Sequence, residues 1–176
     1  MPLSTAHAPD LLAAVDDEVF RWMSAPVPRT LADAEALVRD ALASAGRVAY
    51  AVVVDGRVQG STSYLDVDPP LGGLEIGWTW YARLLWGTRV NPQCKRLLLG
   101  HAFDDLGAER VTLKTDALNT RSRAAIGRLG ARYDGTLRHQ RRRPDGTVRD
   151  ASYFSVLAAE WPAVRAGLDA RLPPCV

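Results

Sequence analysis

The chain has 176 residues, a hydrophobic fraction of 47% and a formal net charge of +2 at pH 7. A chain of this size buries roughly two-thirds of its unfolded surface, so the composition predicts one soluble globular domain. The longest apolar run, Val48 to Val54, is too short to cross a bilayer, and no basic segment marks a secretory signal. The two cysteines and three histidines lack the spacing of a disulfide framework or a metal site. We therefore expect a cytoplasmic protein without a metal.

Charge is distributed unevenly along the chain. Residues 1–109 carry 9 Lys and Arg against 14 Asp and Glu, a balance of −5, whereas residues 110–150 carry 11 against 4, a balance of +7. A basic half of this kind favours a polyanionic ligand. That ligand is either a phosphate-rich cofactor or RNA, the latter through contact of the basic hairpin at 138–149 with RNA or the ribosome. Neither DNA nor a membrane is expected as a partner.

The N-terminal segment predicts short elements. Met1–Leu3 has the pattern of a strand end, Pro9–Val15 that of a first helix, and Glu18–Met23 that of a short helical turn. Thr30 is a good N-cap, and Asp33 follows three positions later as in a capping box. A further helix is therefore predicted from this threonine onward.

Two hairpins are predicted where turn residues separate β-rich runs. Arg47–Val54 and Arg57–Asp66 flank Asp55-Gly56, a strong signal for a two-residue hairpin turn. Arg132–Arg142 and Thr147–Leu157 flank a Pro-Asp-Gly turn in the same way. Each pair should run antiparallel.

Between the hairpins, strands and helices alternate. The pattern predicts a strand from Leu74 to Ala82, a helix over residues 92–106, a strand at Arg110–Asp116 and a helix at Thr120–Leu129. Glu160–Leu172 predicts a final helix. This order predicts an α+β protein with a mixed, mostly antiparallel central sheet and helices on both faces.

The clearest functional signal lies between residues 74 and 106. Asn91 suits a helix N-cap and Pro92 the first helical position. In the preceding strand, bulky side chains are expected on one face and small or polar ones on the other: Leu74, Ile76, Trp78 and Trp80 against Glu75, Gly77 and Thr79. The loop between them predicts an anion site at a helix N-terminus, and a simple tight turn explains it equally well. The residues after Gly87 exclude a nucleotide P-loop, and the glycine spacing excludes a dinucleotide fingerprint.

At this loop a family resemblance begins. Trp86-Gly87-Thr88-Arg89-Val90-Asn91 resembles the coenzyme A pyrophosphate loop of the GNAT N-acetyltransferases, particularly of their RimJ/RimL-like branch. The run AERVTLKTDALNTRSRAAIGRLGAR resembles the fifth strand and fourth helix of that family, and GTLRHQRRRPDGTVRDASYFSVLAAEW resembles its final hairpin. The resemblance extends from about Arg47 to Trp161. It departs at Arg89, where the family usually has Gly or Ala, and in lacking a tyrosine common on the fourth helix.

The resemblance implies a single GNAT domain over residues 1–176 that lacks most of the first strand of the family. It implies transfer of an acetyl group from acetyl-coenzyme A (acetyl-CoA) to an amine, with a protein or peptide N-terminal α-amine as the leading acceptor. A small-molecule amine is the alternative among enzymes. A non-catalytic acyl-CoA sensor or a ribosome-binding module is the alternative outside enzymes. The protein is expected to be a monomer or a homodimer.

Roles for individual residues also follow from the resemblance. Asn119 is expected to bond the pantetheine arm and Ser122 to lie near the thioester sulfur, while strand backbone N–H groups stabilise the oxyanion. The expected cofactor-binding residues are Gly77, Trp78, Thr79, Trp80, Trp86, Gly87, Thr88, Arg89, Val90, Asn91 and Asn119. Packing rather than ligand binding is the expected role of the tryptophan rings, and capping of the helix is the alternative explanation for the asparagine.

Glu75 is the candidate general base. It is expected to share a face with Gly77 and Thr79 because side chains alternate along a strand, and these small neighbours would leave room for an amine beside the carboxylate. An ion pair with an arginine is the alternative explanation for this residue. Tyr133 and Tyr153 are alternatives to Ser122 as the general acid.

Overall fold

The computed structural model describes residues 1–172, and six strands form its central sheet. The strands are β1 (Val48–Val54), β2 (Arg57–Asp68), β3 (Gly73–Tyr81), β4 (Arg110–Asp116), β5 (Arg132–Arg142) and β6 (Val148–Leu157). Their order across the sheet is β1-β2-β3-β4-β6-β5. Every neighbouring pair is antiparallel except β3 and β4, which are parallel. The mixed, mostly antiparallel sheet expected from the sequence is confirmed.

Helices cover both faces of this sheet. One face carries α1 (Ala8–Ala14), α2 (Asp17–Phe20) and α3 (Leu31–Ala43), and the other carries α4 (Val90–Gly100), α5 (Thr120–Arg128) and α6 (Trp161–Asp169). A π-helical turn, His101–Asp105, extends α4. Each layer has its own apolar cluster, with Phe20 and Val38 in the first and Leu99 and Val111 in the second. Within residues 1–172, no helix is both long enough and apolar enough to cross a membrane.

Local sequence signals explain where several elements begin and end. Asp55 and Gly56 have φ values of 50° and 75°, the two positive values that a two-residue hairpin turn needs, so the first predicted hairpin is confirmed. Thr30 and Asp33 form the predicted capping box at the start of α3. The backbone N–H of Leu3 donates to β1, which attaches the first residues to the sheet edge.

The predicted start of α4 is wrong. The helix begins at Val90 with Arg89 as its N-cap residue, so Asn91 lies inside the first turn. The Thr88 hydroxyl accepts a hydrogen bond from the Val90 N–H at 3.3 Å, and this local turn begins the helix earlier than the asparagine would. The Asn91 side chain instead accepts a hydrogen bond from the Tyr81 hydroxyl at 3.1 Å, which links the helix to the end of β3.

The predicted alternation along β3 is wrong after Gly77. Between the paired positions Ser61–Trp80 and Ser63–Gly77, β2 advances by two residues and β3 by three, and Trp78 has a φ of 48°. This arrangement is a β-bulge. Because a bulge adds one residue to one strand, every side chain beyond it changes face.

The bulge separates side chains that the sequence places together. Leu74 and Ile76 pack with the α4–α6 layer, whereas Trp80 packs in the α1–α3 layer. The Thr79 hydroxyl accepts a hydrogen bond from Lys95 of α4. The prediction that Thr79 shares a face with Glu75 is therefore wrong. The carboxylate therefore lies on the α1–α3 side of β3.

A close approach of β2 and β3 beside the bulge predicts a large effect of Gly60→Ala. An added Cβ would lie 2.5 Å from the Trp80 carbonyl oxygen and 3.2 Å from the Tyr81 Cα, and backbone cannot move aside cheaply. We expect a loss of about 1–3 kcal/mol in the free energy of unfolding, the usual cost of overpacking. The matched control is Gly127→Ala in α5, where a Cβ meets nothing within 4 Å and helix propensity favours alanine. Equal stability of the two variants in denaturant melts would contradict the register of these strands.

Candidate active site

β3 and β4 are paired only at their beginnings. Gly73–Glu75 lies opposite Arg110–Thr112, and the two strands then diverge although each continues further. The bulge at Trp78 bends β3 at this point, as bulges do. The gap between the strands opens into a cleft with a volume of about 400 Å³ that is lined by β3, β4, α4, α5 and the loop before α4.

The loop before α4 forms one end of the cleft. Gly87 has a φ of 75°, and a Cβ built there would meet nothing within 4 Å, so its backbone is open to a ligand. The Thr88 hydroxyl donates to the Leu85 carbonyl at 2.7 Å and holds the turn. The Trp86 indole donates to the Tyr81 carbonyl at 3.1 Å, which fixes the loop to the end of β3.

Two expected cofactor residues in this loop lie outside the lining of the cleft. Arg89 is exposed and Val90 is partly buried, and neither contributes to the cleft surface as described for residues 1–172. Arg121 of α5 does line it, with its guanidinium carbon 3.2 Å from the centroid of the Trp86 ring. The positive charge on the cleft surface beside Trp86 therefore comes from Arg121 of α5.

Asn119 and Ser122 both line the cleft from the start of α5. The Asn119 side-chain oxygen accepts a hydrogen bond from the Ser122 N–H at 3.0 Å, so the asparagine does cap this helix. Capping uses the amide oxygen and leaves the amide N–H groups for another partner. The two explanations considered for this residue are therefore compatible.

Glu75 is buried, with 4% of its surface exposed, and it forms an ion pair across the gap. The ammonium of Lys114 on β4 lies 2.6 Å from its carboxylate, so the partner is a lysine rather than the arginine considered from the sequence. Burial raises the pKa of Glu75, while the hydrogen bond and charge of Lys114 act in the opposite direction. Gly77 provides the space for this carboxylate, since a Cβ there would lie 2.5 Å from the Glu75 Oε1.

The remaining predicted side chains are placed by packing. Trp78, Trp80 and Trp86 line the cleft, but their rings also pack against neighbours. Arg47 lies over the Trp78 ring, and Phe20 contacts Trp80 edge to face with ring centroids 5.3 Å apart. The two tyrosines considered as alternatives to Ser122 for the general acid lie outside the lining of the cleft described for residues 1–172. Tyr133 is exposed and bonds to Thr136, and the Tyr153 ring lies beside Lys114 outside the cleft lining, as far as the described residues show.

Lys95 is a site residue that sequence reasoning missed. It lines the cleft from α4 with only 4% of its surface exposed. Its ammonium donates to the Thr79 hydroxyl at 2.9 Å, and that hydroxyl lies 2.7 Å from the Thr62 hydroxyl. Burial lowers the pKa of Lys95 to about 8. A signal was present, because this lysine occupies the apolar stripe of α4 four residues before Leu99.

The side chains described for this chain include no group of three His, Cys, Asp or Glu that could bind a metal ion. A buried carboxylate, a buried amine and a glycine-bearing turn at a helix N-terminus are thus the chemical groups of the cleft. They suit transfer of an activated group from a phosphate-bearing donor to an amine.

Comparison with known proteins agrees with this chemistry. The profile of the family described as acetyltransferase (GNAT) domain matches residues 1–132, and the chain belongs to this family. It is therefore classed as an acyltransferase, and GNAT acetyltransferases use acetyl-CoA as the donor.

Individual relatives define the branch. The chain is 30% identical over 110 residues to YdaF of Bacillus subtilis (strain 168), which is named provisionally as a ribosomal N-acetyltransferase. The match covers 62% of this chain and 59% of that relative, and it supports the RimJ/RimL-like branch.

Solved structures share the fold over nearly the whole chain. A provisionally named acetyltransferase from T. thermophilus has a TM-score of 0.93 and 43% identity, covering 98% of this chain and 92% of its own. A GCN5-related N-acetyltransferase from Brucella melitensis has a TM-score of 0.92 and 32% identity, covering 98% of this chain and 81% of its own.

The buried amine predicts a pH-dependent stability that Lys95→Met removes. With a pKa of about 8 in the folded protein and 10.5 as the ordinary value, the unfolded chain holds a proton in this window that the folded protein lacks. Below pH 8, burying the amine lowers the free energy of unfolding by the full amount, because both states are then protonated. As pH rises from 8 to 10.5 this destabilisation disappears, so the free energy of unfolding increases. Relative to Lys95→Met, the wild type should gain up to about 3 kcal/mol across this window. Denaturant melts of both proteins measure the difference, and parallel curves would contradict a buried, perturbed amine.

Proposed function

We propose that this protein transfers the acetyl group of acetyl-CoA to the N-terminal α-amine of a protein or peptide. The observation that carries the proposal is the cleft between β3 and β4, which has a glycine-bearing turn at the N-terminus of α4 at one end and the buried Glu75 carboxylate in its lining. The ribosomal N-acetyltransferase named among the relatives supports this acceptor class. We further propose that the chain works as a single domain in the cytoplasm.

The residues around the cleft fit an acyl-CoA donor. The positive φ of Gly87 and the open space at its Cβ position let phosphate approach the backbone at the N-terminus of α4. After Glu75, the facing edges of β3 and β4 are unpaired with each other in the described chain, so their N–H and C=O groups are available to the amides of a pantetheine arm. Such a donor supplies an acetyl group activated as a thioester.

Three assignments on the donor side belong to the proposal. Backbone N–H groups of Gly77–Trp80 would stabilise the developing oxyanion, a role worth roughly 3 kcal/mol for one donor. The Asn119 amide would bond the pantetheine arm. Ser122 would lie near the sulfur, although a thiol with a pKa of about 8.5 leaves readily without an acid.

On the acceptor side, Glu75 would accept the proton that the amine must lose. At pH 7 only about one lysine amine in two thousand is neutral, whereas about one α-amine in ten is neutral. An α-amine therefore asks less of the base, and a carboxylate that acts through one water would suffice. Lys114 holds the carboxylate in the cleft and favours its charged form.

Contact with RNA or the ribosome through the 138–149 hairpin has weaker support. Arg143 is committed to the buried Asp116 at 2.7 Å, and Arg141 and Arg149 line the cleft. Much of the positive charge of this hairpin thus faces the protein itself. That part of the charge is less available to a nucleic acid at the surface.

Donor binding gives the first test of the proposed function. Acetyl-CoA should raise the melting temperature by mass action, and desulfo-CoA should do so as well, while ATP and NAD should not. No thermal shift at all would refute the proposal, and binding without turnover on a peptide panel would indicate an acyl-CoA sensor.

The Arg89→Gly variant tests the role of this side chain. The substitution should weaken CoA binding several-fold, because the exposed guanidinium adds a charge beside the α4 N-terminus without blocking the turn. Tighter binding in this variant would show that the side chain obstructs the loop.

Glu75→Gln separates a base from a structural carboxylate. Glutamine keeps the shape but cannot accept a proton, so turnover should fall about 10²–10⁴-fold for a lysine-like acceptor and less for an α-amine. The loss should shrink as pH rises, because more amine is then neutral. CoA affinity should stay unchanged, since the Glu75 carboxylate pairs with Lys114 and not with the loop before α4. A pH–rate series on both proteins decides, and turnover that is equal at every pH would remove Glu75 from the mechanism.

A further inference from the structure

Two arginines face each other at the acceptor side of the cleft. Arg141 of β5 and Arg149 of β6 are directly opposite in the register of this antiparallel pair, and both line the cleft. Opposite residues have Cβ atoms about 5 Å apart, and like charges in this arrangement are destabilising. An anion bound between the two guanidinium groups would remove that repulsion.

Arg149 has the features of an incomplete site. Only 8% of its surface is exposed, and its Nε–H has no hydrogen-bond partner. One terminal nitrogen reaches the Trp22 carbonyl at 3.5 Å, a long bond that supplies no negative charge. A buried guanidinium stays protonated, so it retains both an unmet charge and an unmet donor.

The nearest buried carboxylate is already committed. Asp116 accepts two hydrogen bonds from Arg143, at 2.7 and 3.0 Å, and a third from the Leu118 N–H at 2.9 Å. The ion pairs found within residues 1–172 include neither Arg141 nor Arg149. Neither guanidinium therefore has a carboxylate of its own among the described residues, and an anionic ligand would supply one.

The arginine pair lies on the same face of the sheet as Glu75. Phe154 and Val156 pack in the α4–α6 layer, so Arg149, at an odd position of β6, faces the α1–α3 side. Leu74 and Ile76, the neighbours of Glu75 in β3, also face the α4–α6 layer, so Glu75 faces the α1–α3 side. Burial raises the pKa of Glu75, and the positive charge of Arg141 acts in the opposite direction. Ile126 of α5 packs on the other face.

We infer that Arg149, together with Arg141, binds a carboxylate carried by the acceptor, close to the amine that receives the acetyl group. The inference rests on the proposed function, because it assigns the chemistry of the acceptor. A guanidinium offers a fork of N–H donors that matches the two oxygens of a carboxylate. An acceptor with an amine and a nearby carboxylate would place its amine at Glu75 and its carboxylate at the arginines. Two sources carry this chemistry: an acidic side chain at a peptide N-terminus, and the α-carboxylate of a free amino acid.

Paired acids and amides test the inference through binding. Peptides that begin with Asp or Asn form one pair, and alanine and alaninamide form the other, so the two carboxylate sources are separated. Affinity is measured by calorimetry with CoA present at saturation, which requires no turnover. In at least one pair the acid should bind about 10- to 100-fold tighter than the amide, as expected for a charge-assisted contact.

Variants identify the residues responsible. The acid-to-amide ratio should fall close to one in Arg149→Gln and should decrease in Arg141→Gln, whose side chain is exposed and whose replacement should not disturb folding. Arg138→Gln is the matched control, because it removes an exposed arginine of the same strand outside the cleft lining described here, and it should keep the wild-type ratio.

Three results would overturn the inference. These are acid and amide affinities within twofold in both pairs, a ratio that persists in Arg149→Gln, or a loss of CoA affinity in that variant, which would show that a CoA phosphate occupies the arginines. Turnover assays with acetyl-CoA on the same ligands distinguish the two proposals. Acid preference without acetylation refutes only the proposed function, and acetylation without acid preference refutes only the carboxylate site.

Discussion

The one-residue bulge at Trp78 is the constraint on which the cleft depends. A left-handed backbone at a bulky residue is unfavourable, so the conformation persists only because packing on both sides fixes it. Its rotation sends Thr79 toward α4 and Trp80 toward Phe20. It also bends β3 away from β4, and the opening that results has both layers of the protein as its walls.

Buried charge is concentrated around this opening. Glu75 with Lys114, Lys95 with its threonine, and Arg149 all lose most of their contact with water there. Most of the other buried side chains are apolar or uncharged. Buried charge is costly and contributes little net stability, so its accumulation in one place is better explained by ligand chemistry than by folding.

The sequence predicts local features well and distant ones poorly. The Asp55-Gly56 turn and the Thr30 capping box depend on residues within four positions of one another, and both are confirmed. The order of strands and helices follows from periodicity and the family resemblance. The start of α4 was misplaced because the Thr88 hydroxyl competes with Asn91 for the same role.

The missed features join residues that are far apart in the chain. The bulge depends on how β3 packs between two helical layers, and alternation within nine residues contains no trace of it. The Asp116–Arg143 pair spans 27 positions, and the facing arginines require the exact register of the last hairpin. Lys95 is different, since its place in an apolar stripe could have been noticed.

The short parallel ladder between Gly73–Glu75 and Arg110–Thr112 has a mechanical consequence. The sheet consists of two antiparallel halves of three strands, which in the described chain are joined by three residue pairs at one end. Side-chain packing in the α4–α6 layer, where Tyr64 and Ile76 of one half share a cluster with Val111 and Phe154 of the other, holds the two halves in place. A ligand whose amides bonded to both inner edges would act as a seventh strand. It would then turn a hinged pair of half-sheets into one continuous, stiffer sheet.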